Sequence, residues 1–102
     1  MMIDAVNQTS PSALPLKRRL TIVNQLGLHA RAAAKFVKLA DSFEAQITVS
    51  RGENEVSGGS ILGLMMLAAA KDCHIEVSAA GADAEDAIEA LEALVADRFG
   101  EK

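Results

Sequence analysis

Two stretches of strict alternation constrain this chain more than anything else in it. In EAQITVSR, residues 44–51, Ala45, Ile47 and Val49 share one face while Gln46, Thr48 and Ser50 take the other. In CHIEVSA, residues 73–79, Cys73, Ile75, Val77 and Ala79 again fall together. A period of two with one polar side marks a strand buried on a single face. Such strands belong to antiparallel sheets with one wet side, so something else must cover the apolar side. KRRLTIVN, 17–24, reads as another strand, with Leu20 and Ile22 inward. Gly52 and Asn54 mark a tight turn into a short strand around Glu55–Ser57. The intervening segments have helical spacing: Ala33, Phe36, Val37 and Ala40 within 30–42, a short apolar run within 58–67, and Ala84, Ile88, Leu91 and Val95 in the last. Asp83 is placed to cap that last helix, and Glu85 and Asp86 suit its dipole. The order β-α-β-β-α-β-α predicts an α+β fold in two layers. It is an open-faced sandwich of a four-stranded antiparallel sheet with three helices packed on one face.

Composition narrows the function classes. The chain has 102 residues, half of them hydrophobic, which makes one domain with a modest core. Phe is the only aromatic type. Without stacking platforms, single-stranded nucleic acid is a poor partner. The net charge of −4 is uneven: residues 1–51 carry +4 and residues 52–102 carry −8. A basic patch on an acidic whole suits an acidic protein surface better than DNA. Cys73 is the sole cysteine, so an internal disulfide is excluded and metal-type Cys spacings are missing. No cofactor or metal is expected. No apolar run reaches membrane-spanning length, and the basic residues near the N-terminus follow its weakly apolar part, the wrong order for a secretory signal. A cytoplasmic protein is expected. Residues 1–16, punctuated by Pro11 and Pro15, read as a mobile tail ahead of a single domain at 17–102.

The stretch GLHARAAA, 27–34, holds the candidate chemistry. Gly27 lets the chain turn sharply between the first strand and first helix. His29 then falls at the helix start, where the amides of Ala30, Arg31 and Ala32 have no internal partners and can receive an anion. Arg31 adds a permanent charge with fork-shaped donors suited to phosphate. A neutral imidazole is a good nucleophile, and a phosphoryl group attached there would be cradled without being buried. On local features alone, a plain capping histidine beside a solvated arginine explains the same residues. His74 faces outward on its strand and has no partner at metal or triad spacing.

With Val23, Asn24, Gly27, Leu28, His29, Ala30, Arg31, Ala32 and Ala33 on one side, and Ser60, Ile61, Leu62, Gly63, Leu64 and Met65 on the other, the sequence resembles the HPr family. These are the histidine-containing phosphocarriers of the bacterial phosphotransferase system. The likeness covers roughly residues 17–98, and two motifs at the right separation are more specific than either alone. It implies the open-faced sandwich and a carrier rather than an enzyme. It further implies phosphorylation of His29 at Nδ1 by phospho-enzyme I, from phosphoenolpyruvate, with Arg31 steadying the group before it passes to an enzyme IIA-type protein. It also implies Ser60 as a site for an HPr serine kinase/phosphorylase. Ser60 reads equally as an N-cap. Ala32 stands where the family usually has Pro, and Gly59 where it often has Lys or Arg.

The run from Ile61 to Leu67 is too apolar for a short surface helix. Leu64 and Leu67 belong in the core; Ile61, Leu62 and Met65 either join them there or, as the resemblance favours, form an exposed docking patch, with Lys38 steering an acidic partner. A monomer is expected, since a carrier must offer one face to successive partners. Sugar transport and a nitrogen-related regulatory branch both suit these residues. A docking-only module answering to Ser60 is opposed by the presence of His29 and Arg31, and a hydrolase by the lack of a paired nucleophile.

Overall fold

The computed structural model describes residues 15–101; the expected tail lies outside them except for Pro15 and Leu16. Chain order runs β1 (Leu16–Thr21), α1 (Ala30–Asp41), β2 (Gln46–Arg51), β3 (Asn54–Ser57), α2 (Ile61–Met66), β4 (His74–Ala80) and α3 (Ala84–Ala96), closed by one 3-10 turn at Arg98–Gly100. The strands form a single sheet in the order β1-β4-β2-β3, and every neighbouring pair is antiparallel. The open-faced sandwich expected from the alternating segments is therefore the observed fold.

Register carries the alternation across the sheet. Leu20 stands opposite Ile75, Val77 opposite Val49, and Ile47 opposite Ala79, and all six side chains are buried. The helices close this face with Phe36, Leu64, Ile88, Leu91 and Val95, each almost fully buried. α3 lies along the edge strand β1, where Arg18 reaches over to pair with Glu92. The other face is polar, and no described residue covers it. There Arg19 is opposite Glu76, and Thr21 Oγ1 lies 3.0 Å from His74 Nδ1.

Two local expectations need correction. The first strand ends at Thr21, not Asn24. Ile22 still donates to Cys73 O (2.9 Å) and accepts from Asp72 N (2.7 Å), but the chain then leaves the ladder to form the turn before His29. Asp83 holds the cap position of α3 without capping it. Its carboxylate instead accepts from the Glu44 amide at 2.7 Å, while the Asp83 amide donates to Glu44 O at 3.1 Å. This reciprocal pair clamps the start of α3 to the α1–β2 turn, a tertiary use of a side chain whose local preference is capping.

Candidate functional site

The site begins at a tight turn. Gly27 N donates to Asn24 O at 3.2 Å, and the buried Asn24 side chain closes the same turn, its Nδ2 donating to Gly27 O at 2.8 Å. Gly27 has φ +67°, and a Cβ there would stand 2.6 Å from Ala69 O. Both its backbone conformation and the approach of the α2–β4 loop therefore demand glycine. Leu28, buried, donates its amide to Ala69 O at 2.9 Å. The chain is thus fixed on both sides before it reaches His29.

His29 occupies the N-cap of α1 in an extended conformation, and its side chain makes no capping hydrogen bond. Its carbonyl accepts from Ala33 N at 2.8 Å, the first bond of the helix. The amides of Ala30, Arg31 and Ala32 precede that bond and lie at the positive end of the helix dipole. The imidazole is partly exposed and is left free for another role.

A shallow recess of about 90 Å³ gathers His29, Arg31, Lys35, Phe99 and Glu101. Arg31 is solvent-exposed beside the ring. Lys35, one helical turn on, donates from Nζ to Phe99 O at 2.7 Å. The C-terminal wall is an unusual piece of backbone. Arg98, Phe99 and Gly100 all have positive φ (60°, 55° and 75°), a left-handed run costly for the two non-glycine residues. Burial of Phe99 offsets that cost and anchors the segment.

This turn delivers Glu101 to the histidine. Glu101 Oε2 lies 3.4 Å from His29 Nε2 and accepts from Asn24 Nδ2 at 3.1 Å; Oε1 accepts from Leu26 N at 3.2 Å. The hydrogen bond from Asn24 holds the Glu101 carboxyl below its ordinary range, against partial desolvation, with help from the Leu26 and Gln25 amides and the His29 ring. Asn24 gives up something for this. Its Oδ1 is buried with no partner among the described residues, an omission worth about 1–3 kcal/mol. Turning the amide round would set that oxygen against Gly27 O and the carboxylate, so Nδ2 stays where it is.

The residues singled out in the sequence divide into two groups. His29, Arg31 and the leading amides of α1 come together as expected. Lys38 is exposed farther along α1 and does not line the recess. Ser60 is the N-cap of α2, its Oγ accepting from Gly63 N at 2.9 Å. Ile61, Leu62 and Met65 are exposed on α2, joined by Met66 and by Leu26 in the site turn, while Leu64 and Leu67 are buried. α2 packs against α1, and the Ala68–Ala70 loop after it borders His29. Glu101, Lys35 and Phe99 were not anticipated. Among the described residues, no group of three or more His, Cys, Asp or Glu is arranged to hold a metal ion, and no helix is long and apolar enough to cross a membrane.

A partly exposed imidazole near an arginine at a helix start, on this topology, is matched by known proteins. The family described as PTS HPr component phosphorylation site matches residues 16–97. The chain belongs to that HPr family. It is 48% identical over 86 residues to the phosphocarrier protein HPr of Neisseria meningitidis serogroup A, covering 84% of this chain and 97% of that one. It is 46% identical over 86 residues to the phosphocarrier protein NPr of Shewanella violacea, covering 84% and 94%. A crystal structure of HPr-C-His from Thermoanaerobacter tengcongensis superposes with a TM-score of 0.81 at 40% identity, covering 85% of this chain and 98% of that one. HPr proteins are phosphocarriers of the phosphotransferase system, not catalytic enzymes, and this HPr-family chain shares that role.

Proposed function

We propose that His29 accepts a phosphoryl group at Nδ1 from phospho-enzyme I and passes it to an enzyme IIA-type protein. The chain acts as a cytoplasmic monomer. The observation that carries the reading is the placement of a partly exposed imidazole, free of any capping bond, at the cap of α1, ahead of three leading amides and sharing a recess with Arg31. The transferred group would meet donors already in position, so little reorganisation accompanies the transfer. Phosphoryl transfer asks mainly for positioning and charge stabilisation, which the larger partner can complete. Ile61, Leu62 and Met65 supply the docking patch, and Lys38 steers an acidic partner towards it.

Ser60 serves as a regulatory site for a serine kinase in the same reading. What supports it is the partial exposure of Ser60 at the head of the exposed apolar α2, beside α1. A phosphate there would add close to two negative charges to the docking face.

The test is intact mass after mixing the protein with enzyme I and phosphoenolpyruvate, before and after mild acid. One acid-labile phosphoryl group is expected, and His29→Ala is expected to lose it while keeping the fold. No gain of mass, with enzyme I active on another carrier, would leave a docking-only module instead. The acceptor that discharges the phosphorylated protein then assigns the branch, either a sugar-permease IIA domain or a nitrogen-related one.

A further inference from the structure

We propose that Glu101 is a positioning residue for phosphoryl acceptance, acting through Nε2 of His29; this rests on the phosphocarrier reading. The carboxylate is fixed before any partner arrives. Asn24 Nδ2 and Leu26 N hold its two oxygens at 3.1 and 3.2 Å, and the left-handed turn at Arg98–Gly100 aims it at the ring. Phe99, buried, and the Lys35 bond to Phe99 O keep that turn from opening. Asn24 is itself fully buried, and its Nδ2 is fixed by Gly27 O at 2.8 Å as well as by Glu101.

A fixed anion facing one ring nitrogen selects the tautomer with the proton on that nitrogen. The 3.4 Å separation of Glu101 Oε2 from His29 Nε2 is long for a hydrogen bond. Such contacts tighten when the ring becomes charged. With the proton on Nε2, Nδ1 carries the lone pair. That pair attacks phosphorus of the phosphorylated donor protein; the donor's bond to phosphorus breaks, and its electron pair returns to the donor. Nε2 keeps its proton, and the positive charge then spread over the ring faces the Glu101 carboxylate. Arg31 and the amides of α1 act on the phosphoryl oxygens. Glu101 acts on the ring, so the incoming dianion and the resident carboxylate occupy opposite sides of it.

The experiment compares the full-length protein with Glu101→Ala and Glu101→Gln. Nitrogen-15 NMR of the neutral His29 ring reads the tautomer without any donor. Acceptance kinetics from phospho-enzyme I read kcat and KM separately. The wild type is expected to hold one tautomer, protonated at Nε2, and Glu101→Ala a mixture. Glu101→Ala is expected to lose about tenfold in kcat, by analogy with the lower end of the loss when a metal-bound histidine loses its orienting partner, with KM unchanged. Glu101→Gln, which keeps an acceptor but no charge, is expected to fall between. An unchanged tautomer in Glu101→Ala, or a loss confined to KM, would overturn the assignment. Failure of the wild type to accept a phosphoryl group would instead sink the carrier reading, while the tautomer comparison would still judge the contact itself.

Discussion

His29 is useful because its side chain is not used for capping. Neighbouring residues do the structural work: Gly27 makes the turn, Asn24 closes it, and Leu28 ties it to Ala69. Gly27→Ala is expected to cost more than about 2 kcal/mol, since a left-handed alanine is strained and its Cβ would strike the Ala69 carbonyl. Thermal unfolding should show it as a drop in Tm of roughly 10 °C. Glu101 gives a pH signature. Its carboxyl is held below the ordinary value of 4.5, chiefly by Asn24. The stabilisation is therefore complete above that value and disappears as pH falls through the lowered one. The Tm difference between wild type and Glu101→Gln should be present at neutral pH and vanish on acidification below the carboxylate range. A difference independent of pH would mean the charge contributes nothing. His29 and Arg31 were legible in the sequence because a helix start is a local event, read from a glycine, a polar residue and an alanine run. Glu101 was not. It lies seventy-two positions from His29 in the chain and arrives through positive φ at Arg98 and Phe99, residue types whose preferences argue against that conformation.

At the level of elements, alternation proved the most informative signal, because a strand covered on one side repeats its surroundings every second residue. Both alternating segments became inner strands of the sheet. Ends were harder to place. Val23 and Asn24 depart from the alternation of Leu20, Thr21 and Ile22, and the Asn24 side chain serves the turn instead of the ladder. Asp83 likewise has a cap's position and a different bond. Ser60 is the opposite case, a cap by pattern and by geometry. Ser60→Ala is expected to destabilise the fold by about 1 kcal/mol in chemical denaturation. Asp caps as well as Ser, so Ser60→Asp should keep stability while adding charge beside the apolar residues of α2. A slower acceptance rate from enzyme I with unchanged stability would support the regulatory reading of Ser60. An unchanged rate would leave it a cap only.

Taken whole, the molecule places its helices, His29 and the exposed apolar side chains of α2 away from a sheet face that is polar and that no described residue covers. Leu26, Ile61, Leu62, Met65 and Met66 are the large hydrophobic side chains left in solvent on the turn before His29 and on α2. Exposed side chains of this kind add little to folding stability. Leu62→Gln should therefore change stability by less than about 0.5 kcal/mol and raise KM for enzyme I if the patch docks. Steady-state kinetics beside a denaturation curve separates the two effects. The two ends of the described chain differ in a practical way. Leu16 starts β1 opposite Ala79, and the strand runs about 17 Å from there to Thr21 before the chain turns towards His29. Glu101, by contrast, touches the histidine itself. A dye or surface linker fixed at Glu101 would stand against the His29 ring and, on the carrier reading, crowd an incoming partner. The same label fixed at Leu16 would stand at the far end of β1, so the choice of attachment point decides whether a binding assay reports on this protein or on its handle.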